Sequence, residues 1–310
     1  FMLILLVCLW GLIFPIVSEL FTGQKVTFGP PWYERITGPL FAALLFLMGV
    51  APLSAWGHST VKTLGRAMWK PTLVSLAVLA IALVLGVRSV GALIGFWLVG
   101  FVISITLYDY GRAIWARHKR TQESLPVAFW NLVGRNRRRY GGYIIHLGIV
   151  LMALGIIGIE MFQTETQGTL KTGESLSLSG YTVTFRSLAE WNNPDGRNIA
   201  RAVVDVSKDG RYLGQLAPRR DFYFDAQQSM TIPGVRSTME DDLYLLLVDW
   251  EEFNANQATL KLFHNPLINW LWVGSFVLIL GMLVAAWPDQ EPETAVQRAA
   301  KKANGRVTAG

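Results

Sequence analysis

Four histidines carry the widest chemical range in this chain, and their settings differ. His58 closes a long apolar run, His118 stands inside an Arg-His-Lys-Arg stretch, and His264 lies at the start of the last apolar run. Each of these reads as a solvated or interfacial side chain. His146 is different. It lies inside GGYIIHLGIVLMALGIIGIE, a little over one helical turn past the start of that stretch. An ionisable side chain within a membrane helix is costly and marks function by default. At helical spacing its face includes Gly142, Ile149, Val150 and Ala153. A glycine one turn away leaves room for a flat ligand close to the backbone. Neutral imidazole is a good axial ligand for haem iron, so His146 is the candidate cofactor and metal ligand. The alternative is an interhelical hydrogen bond, with the glycines serving close packing. A bis-histidine site also needs a second ligand, and no other membrane-length run offers one well inside it. Cys8, the single cysteine, sits in an apolar run, so neither a thiol catalyst nor an internal disulfide is expected. No residue is assigned as a catalytic acid, base or nucleophile.

The elements that must hold His146 follow from composition. Of 310 residues, 52% are hydrophobic and only 16% charged. A soluble domain is about one-quarter charged, so this balance points to a membrane protein. Charge-free runs cover 1–18, 36–61, 71–87, 89–108, 140–159 and 262–288. Crossing a bilayer takes about 20 apolar residues, and each run is read as a transmembrane helix, with Pro71 at a first-turn position. The chain opens already apolar at Phe1, without a basic n-region or a small-residue cleavage site. It therefore reads as the C-terminal portion of a longer membrane protein.

Charge sets the orientation. Lys62, Arg66 and Lys70 are expected in one loop, and Arg112, Arg117, Lys119, Arg120, Arg135, Arg137, Arg138 and Arg139 in another. With Arg298, Lys301, Lys302 and Arg306 of the tail they make fifteen basic residues, against Lys25, Arg35 and Arg88 on the other side. The first group belongs in the cytoplasm. The run Arg135–Tyr140 reads mainly as a topology anchor, with anionic lipid as a further ligand and nucleic acid disfavoured by its closeness to a membrane helix.

The expected layout is a five-helix transmembrane part over 1–159, an extracytoplasmic β-domain over 160–264, a last helix over 265–288 and a cytoplasmic tail over 289–310. The outer segment alternates in strand fashion at 175–178, 181–185, 200–206, 212–216, 244–250 and 259–263. Ser179-Gly180 and Asp209-Gly210 mark turns between strands. A small antiparallel barrel or sandwich without a helix is expected. The fold class is thus a polytopic α-helical membrane protein of six transmembrane helices with one inserted all-β outer domain. No catalytic triad, HExxH motif or phosphate-cradling loop occurs in that domain.

Five stretches carry a family resemblance: FGPPWYERITGPL (28–40), GVAPLSAWG (49–57), GGYIIHLGIVL (141–151), PRRDFYFDAQQSMTIPGVRSTMEDDLYLLL (218–247) and NPLINWLWVG (265–274). Together they resemble the C-terminal part of the CcmF family of cytochrome c-type biogenesis proteins. The resemblance implies a haem-lyase component in the bacterial inner membrane, with 160–264 on the periplasmic face. That family takes haem from a haem chaperone and helps attach it through thioether bonds to the CxxCH motif of apocytochrome c, with other cytochrome c maturation membrane proteins as partners. It also holds a haem b between two membrane histidines, and His146 would be one of that pair. The family's tryptophan-rich outer segment, its two outer histidines and its other membrane histidine are not found here, and are expected upstream of Phe1. The chain by itself is therefore expected to be inactive. Two other classes stay open: a membrane transporter or haem channel, and a non-catalytic scaffold presenting the β-domain.

Overall fold

The computed structural model describes residues 1–53, 61–250 and 256–288. Apolar composition dictates the first elements. Helix α1 (Met2–Thr22) and helix α2 (Pro30–Val50) are followed by a short 3-10 turn, Ala51–Leu53. Helix α3 spans Val61–Val84, α4 Val90–Thr121, α5 Leu125–Arg135, α6 Arg137–Phe162 and α7 Asn269–Ala286. All but α5 are long and apolar enough to cross a membrane, six in all among the described residues. Helices suit that setting because every backbone polar group is satisfied within the segment.

Two expectations about helix ends need correction. The helix read as starting at Pro71 begins ten residues earlier, so Lys62, Arg66 and Lys70 lie on α3 rather than in a loop. Pro71 stands in its interior, and around it Thr72 Oγ1 donates to Met68 O at 2.9 Å and Ser75 Oγ to Thr72 O at 2.8 Å. Helix α4 likewise runs 32 residues, about 48 Å at 1.5 Å per residue, far beyond its charge-free part. Arg112, Arg117, Lys119 and Arg120 therefore ride on its projecting end, and α5 returns along it to the start of α6. The region read as a basic loop is mostly helix. His58 and the tail 289–310 lie outside the described residues.

Between α6 and α7 the chain forms ten strands among the described residues: β1 (Thr164–Lys171), β2 (Ser175–Leu178), β3 (Tyr181–Asn193), β4 (Arg197–Lys208), β5 (Arg211–Leu216), β6 (Arg219–Tyr223), β7 (Gln228–Ile232), β8 (Gly234–Ser237), β9 (Asp241–Trp250) and β10 (Gln257–Pro266). All pairings are antiparallel. One sheet has the order β1-β10-β9-β8, and the other β2-β3-β4-β6-β7 with β5 also on β4. They pack face to face as a sandwich. Tyr181, Val183, Phe185, Val204 and Val206 from one sheet meet Leu243, Leu245, Leu247, Leu260 and Leu262 from the other, all nearly inaccessible. The turn at Ser179-Gly180 has φ of 50° and 81°, and that at Asp209-Gly210 50° and 80°. Positive φ at both central residues suits two-residue hairpins, because that backbone twist matches the twist of the flanking strands.

Helices α6 and α7 bracket the sandwich and pack tightly on each other. Gly141, Gly148 and Gly155 of α6 and Gly274 and Gly281 of α7 recur every seven residues. A Cβ on Gly148 would stand 2.5 Å from Leu278 N, so only glycine lets the backbones approach this closely.

Candidate functional site

His146 lies on α6 away from the glycine seam, toward α4. Helix α4 runs antiparallel to α6. Asp109 meets Tyr143, Val102 and Ile105 cluster with Val150, and Gly95 faces Ile157. His146 therefore sits between the polar contact at Tyr143 and the apolar cluster at Val150. Its residue is half-buried, and its Nδ1 is buried with no hydrogen-bond partner among the described residues. One turn earlier, a Cβ on Gly142 would meet nothing within 4 Å. The imidazole thus stands beside an open strip of backbone.

That arrangement fits the axial ligation expected of His146. The enclosed Nδ1 leaves a polar group unsatisfied, which is costly and unlike an imidazole kept for an interhelical hydrogen bond, and a ligand would meet the ring at its other nitrogen. The open face at Gly142 gives a planar group access to the backbone. Among the described residues no second histidine joins it: His118 and His264 lie elsewhere, and no group of three or more His, Cys, Asp or Glu side chains able to hold a metal occurs there. His118 Nδ1 is 2.5 Å from the carbonyl of Glu123, and Arg117 donates to the Glu123 carboxylate at 2.8 and 3.0 Å. These contacts close the end of α4, a structural task.

Sequence reasoning missed Asp109. It sits one residue past the charge-free run and so looked like a helix boundary. In the fold it is buried at 5% exposure. Tyr143 Oη donates to Oδ2 at 2.5 Å, Arg139 donates to the same oxygen at 3.2 Å and Arg112 to Oδ1 at 3.1 Å. Tyr110 Oη donates to Tyr140 O at 2.7 Å beside it. This network ties α4 to α6 three residues before His146 and fixes the depth of the imidazole relative to α4. The only signal in the sequence was a lone acid next to an apolar run, flanked by arginines and tyrosines.

The second polar cluster lies where the sandwich joins the membrane helices. Asp241 accepts from Tyr181 Oη at 2.8 Å, Lys208 Nζ at 2.9 Å and Thr238 Oγ1 at 3.0 Å, and His264 Nε2 lies 3.0 Å from it. Burial pushes the Asp241 carboxyl up, but the hydrogen bonds from Lys208, His264, Tyr181 and Thr238 outweigh it and hold the pKa at about 2. The neighbouring Asp242 accepts from Asn269 Nδ2 at 2.6 Å, and the same amide donates to Thr238 O. Leu267 N donates to Glu240 O at 2.8 Å. His264 is thus an interfacial histidine with a structural partner. Two stretches that carried the family resemblance, 218–247 and 265–274, meet here and seat the sandwich on α7.

Comparison with known proteins agrees with this layout. Residues 161–266 match the family described as CcmF C-terminal beta-sandwich. The chain is 28% identical over 282 residues to the cytochrome c-type biogenesis protein CcmF of Pseudomonas fluorescens, covering 90% of this chain and 40% of the relative. It is 23% identical over 307 residues to the Escherichia coli K12 CcmF, covering 96% and 44%. A solved structure of the cytochrome c haem lyase CcmF superposes with a TM-score of 0.71 at 22% identity, covering 91% of this chain and 43% of that one. That likeness speaks for the fold: membrane helices with an inserted β-sandwich. The chain spans about two-fifths of the length of these curated relatives.

Proposed function

We propose that this chain, homologous over nine-tenths of its length to the CcmF cytochrome c-type biogenesis proteins, contributes one axial ligand and the outer platform of a membrane haem lyase. In this reading His146 binds a haem b through its imidazole. The larger assembly takes haem from a haem chaperone and places it for thioether attachment to the CxxCH of apocytochrome c, alongside other cytochrome c maturation membrane proteins. The observation that carries the reading is the half-buried imidazole of His146 within α6, its Nδ1 making no hydrogen bond among the described residues, beside the open backbone at Gly142.

Each part of the chain has a task here. A bound haem b supplies an electron-transfer centre within the membrane. His146 sets its position along α6. Asp109, through Tyr143 and Arg139, locks α6 against α4, so that the imidazole cannot slide relative to its neighbours. The glycine seam with α7 holds the other face of α6 rigid. Arg137, Arg138 and Arg139 open α6, and the sandwich leaves its far end at Thr164. Cytoplasmic placement of the arginines puts the sandwich on the periplasmic side of a bacterial inner membrane. There it holds partner proteins or apocytochrome near the haem. Thioether formation relies on orientation, so the chain's contribution is positioning.

The test is the visible absorption spectrum of the full-length protein that contains this chain, purified in detergent and titrated with haem. The parent protein is expected to show a Soret band shifted from that of free haem, and His146→Ala is expected to abolish the shift. An unchanged spectrum in the variant would overturn the assignment.

A further inference from the structure

The geometry points to a binding site for the head group of an anionic phospholipid at the bilayer face where α4 ends and α6 begins, built by α5 and the arginines that follow it. Helix α5 reads LPVAFWNLVGR. Its inner face packs on the chain: Ala128 is fully buried, and Leu132 and Val133 lie against Tyr110, Tyr140 and Tyr143. Its other face leaves large apolar side chains uncovered, with Leu125 45%, Val127 48% and Trp130 76% exposed. Depth explains why these are tolerated. The ring of Phe129 lies 6.0 Å from that of Tyr110, two residues beyond the charge-free run of α4. Trp130 therefore sits at the boundary between hydrocarbon and water, where an indole is favoured.

Charge selects the occupant. Between 109 and 139 the chain carries eight Lys and Arg against Asp109 and Glu123. Both acids are already engaged, Asp109 by Arg112 and Arg139 and Glu123 by Arg117. Arg137 donates to the carbonyl of Pro288 at 2.8 Å. Arg135 and Arg138 are exposed and make no ion pair among the described residues, one on either side of the link between α5 and α6. A guanidinium fork matches phosphate oxygens, and a basic patch at helix ends beside an exposed indole suits a lipid phosphate with its acyl chains alongside. A soluble acidic partner would use the arginines but would have no reason to meet an indole at bilayer depth.

The experiment uses the delipidated chain in a zwitterionic detergent, titrated with phosphatidylglycerol or phosphatidylcholine, with bound lipid counted by native mass spectrometry. Preferential retention of phosphatidylglycerol is expected. The Arg135→Gln/Arg138→Gln pair should lower that affinity about twenty-five-fold, from about fivefold for each cation at a membrane surface. Trp130→Ala should weaken binding of both lipids alike. Lys119→Gln/Arg120→Gln removes equal charge from the projecting end of α4 and should leave binding within twofold of the parent. Equal loss in both charge pairs would reduce the effect to diffuse attraction and overturn the site. Competition by millimolar inorganic phosphate as strong as by lipid would identify a free-anion site and overturn it as well. Retention of the preference in the Arg135/Arg138 variant would do the same.

Discussion

At the scale of single residues, His146 and Tyr143 make opposite demands on α6. Tyr143 donates to a buried carboxylate and so contributes to holding the helices together. His146 buries a ring nitrogen that nothing among the described residues satisfies. A buried polar atom without a partner destabilises, whereas an apolar group of similar shape does not. His146→Leu is therefore expected to leave the unfolding midpoint of the ligand-free chain in detergent unchanged or to raise it. Tyr143→Phe should lower stability by about 1–2 kcal/mol, since it leaves Asp109 short of one donor. A drop for His146→Leu as large as that for Tyr143→Phe would mean that the histidine carries an interhelical hydrogen bond, the alternative that its sequence context left open. His146 was legible because a histidine deep in an apolar run is conspicuous. Asp109 was not, because a carboxylate one residue outside such a run has the composition of any helix end, and only the antiparallel packing of α4 on α6 reveals its burial.

At the scale of elements, the glycines divide α6 into two faces with different tolerances. Gly148 and Gly274 face backbone: a Cβ on either would lie 2.5 Å from Leu278 N or Met152 N, and backbone cannot rotate aside. Gly148→Leu or Gly274→Leu should force α6 and α7 apart, with a lower unfolding midpoint and faster proteolysis near the sandwich. Gly142→Ala meets open space and removes a flexible residue from a helix, so it should be neutral or stabilising by up to about 1 kcal/mol. Comparable damage at all three positions would refute the division of faces. The membrane helices were legible because crossing lipid demands a long apolar run with few exceptions. The missed strands lacked any such demand. Strand β1 is mostly exposed, and β6 buries Asp221 between Arg197 and Arg219, so its inward position carries a charge where alternation expects an apolar side chain. Helix α5 escaped because eleven residues bounded by charges resemble a connecting segment until Ala128 and Leu132 are seen to pack.

At the scale of the whole molecule, what matters is how a soluble sandwich is seated on a membrane bundle. The chain leaves through α6 and returns through α7, and these two helices are locked along the glycine seam. The sandwich is fixed to that pair through Asn269 of α7, whose amide donates to Asp242 and to Thr238 O, and behind this contact Asp241 ties strands of both sheets together through Tyr181, Lys208, Thr238 and His264. Asp241 is the titratable centre of that network within the sandwich. Its pKa in the fold, about 2, lies below the ordinary 3.8. A carboxylate depressed by folding adds stability that is fully present above the unfolded value and is lost as pH falls through the folded one. The Asp241 network should therefore hold at pH 5 and weaken progressively from about pH 4 to about pH 2. Lys208, raised above its ordinary 10.5 chiefly by its hydrogen bond to Asp241, loses its share only in strongly alkaline solution. Asp241→Asn should lower the melting temperature of the chain in detergent at pH 5, yet the gap between variant and parent should close as pH approaches 2, because the parent's carboxylate is then protonated too. Other depressed acids such as Asp195 and Asp205 titrate in both proteins and cancel in the difference. A gap that stays constant from pH 5 to pH 2 would show that Asp241 acts through its size and hydrogen bonds alone, and that the cohesion of the two sheets beside α7 does not depend on its charge.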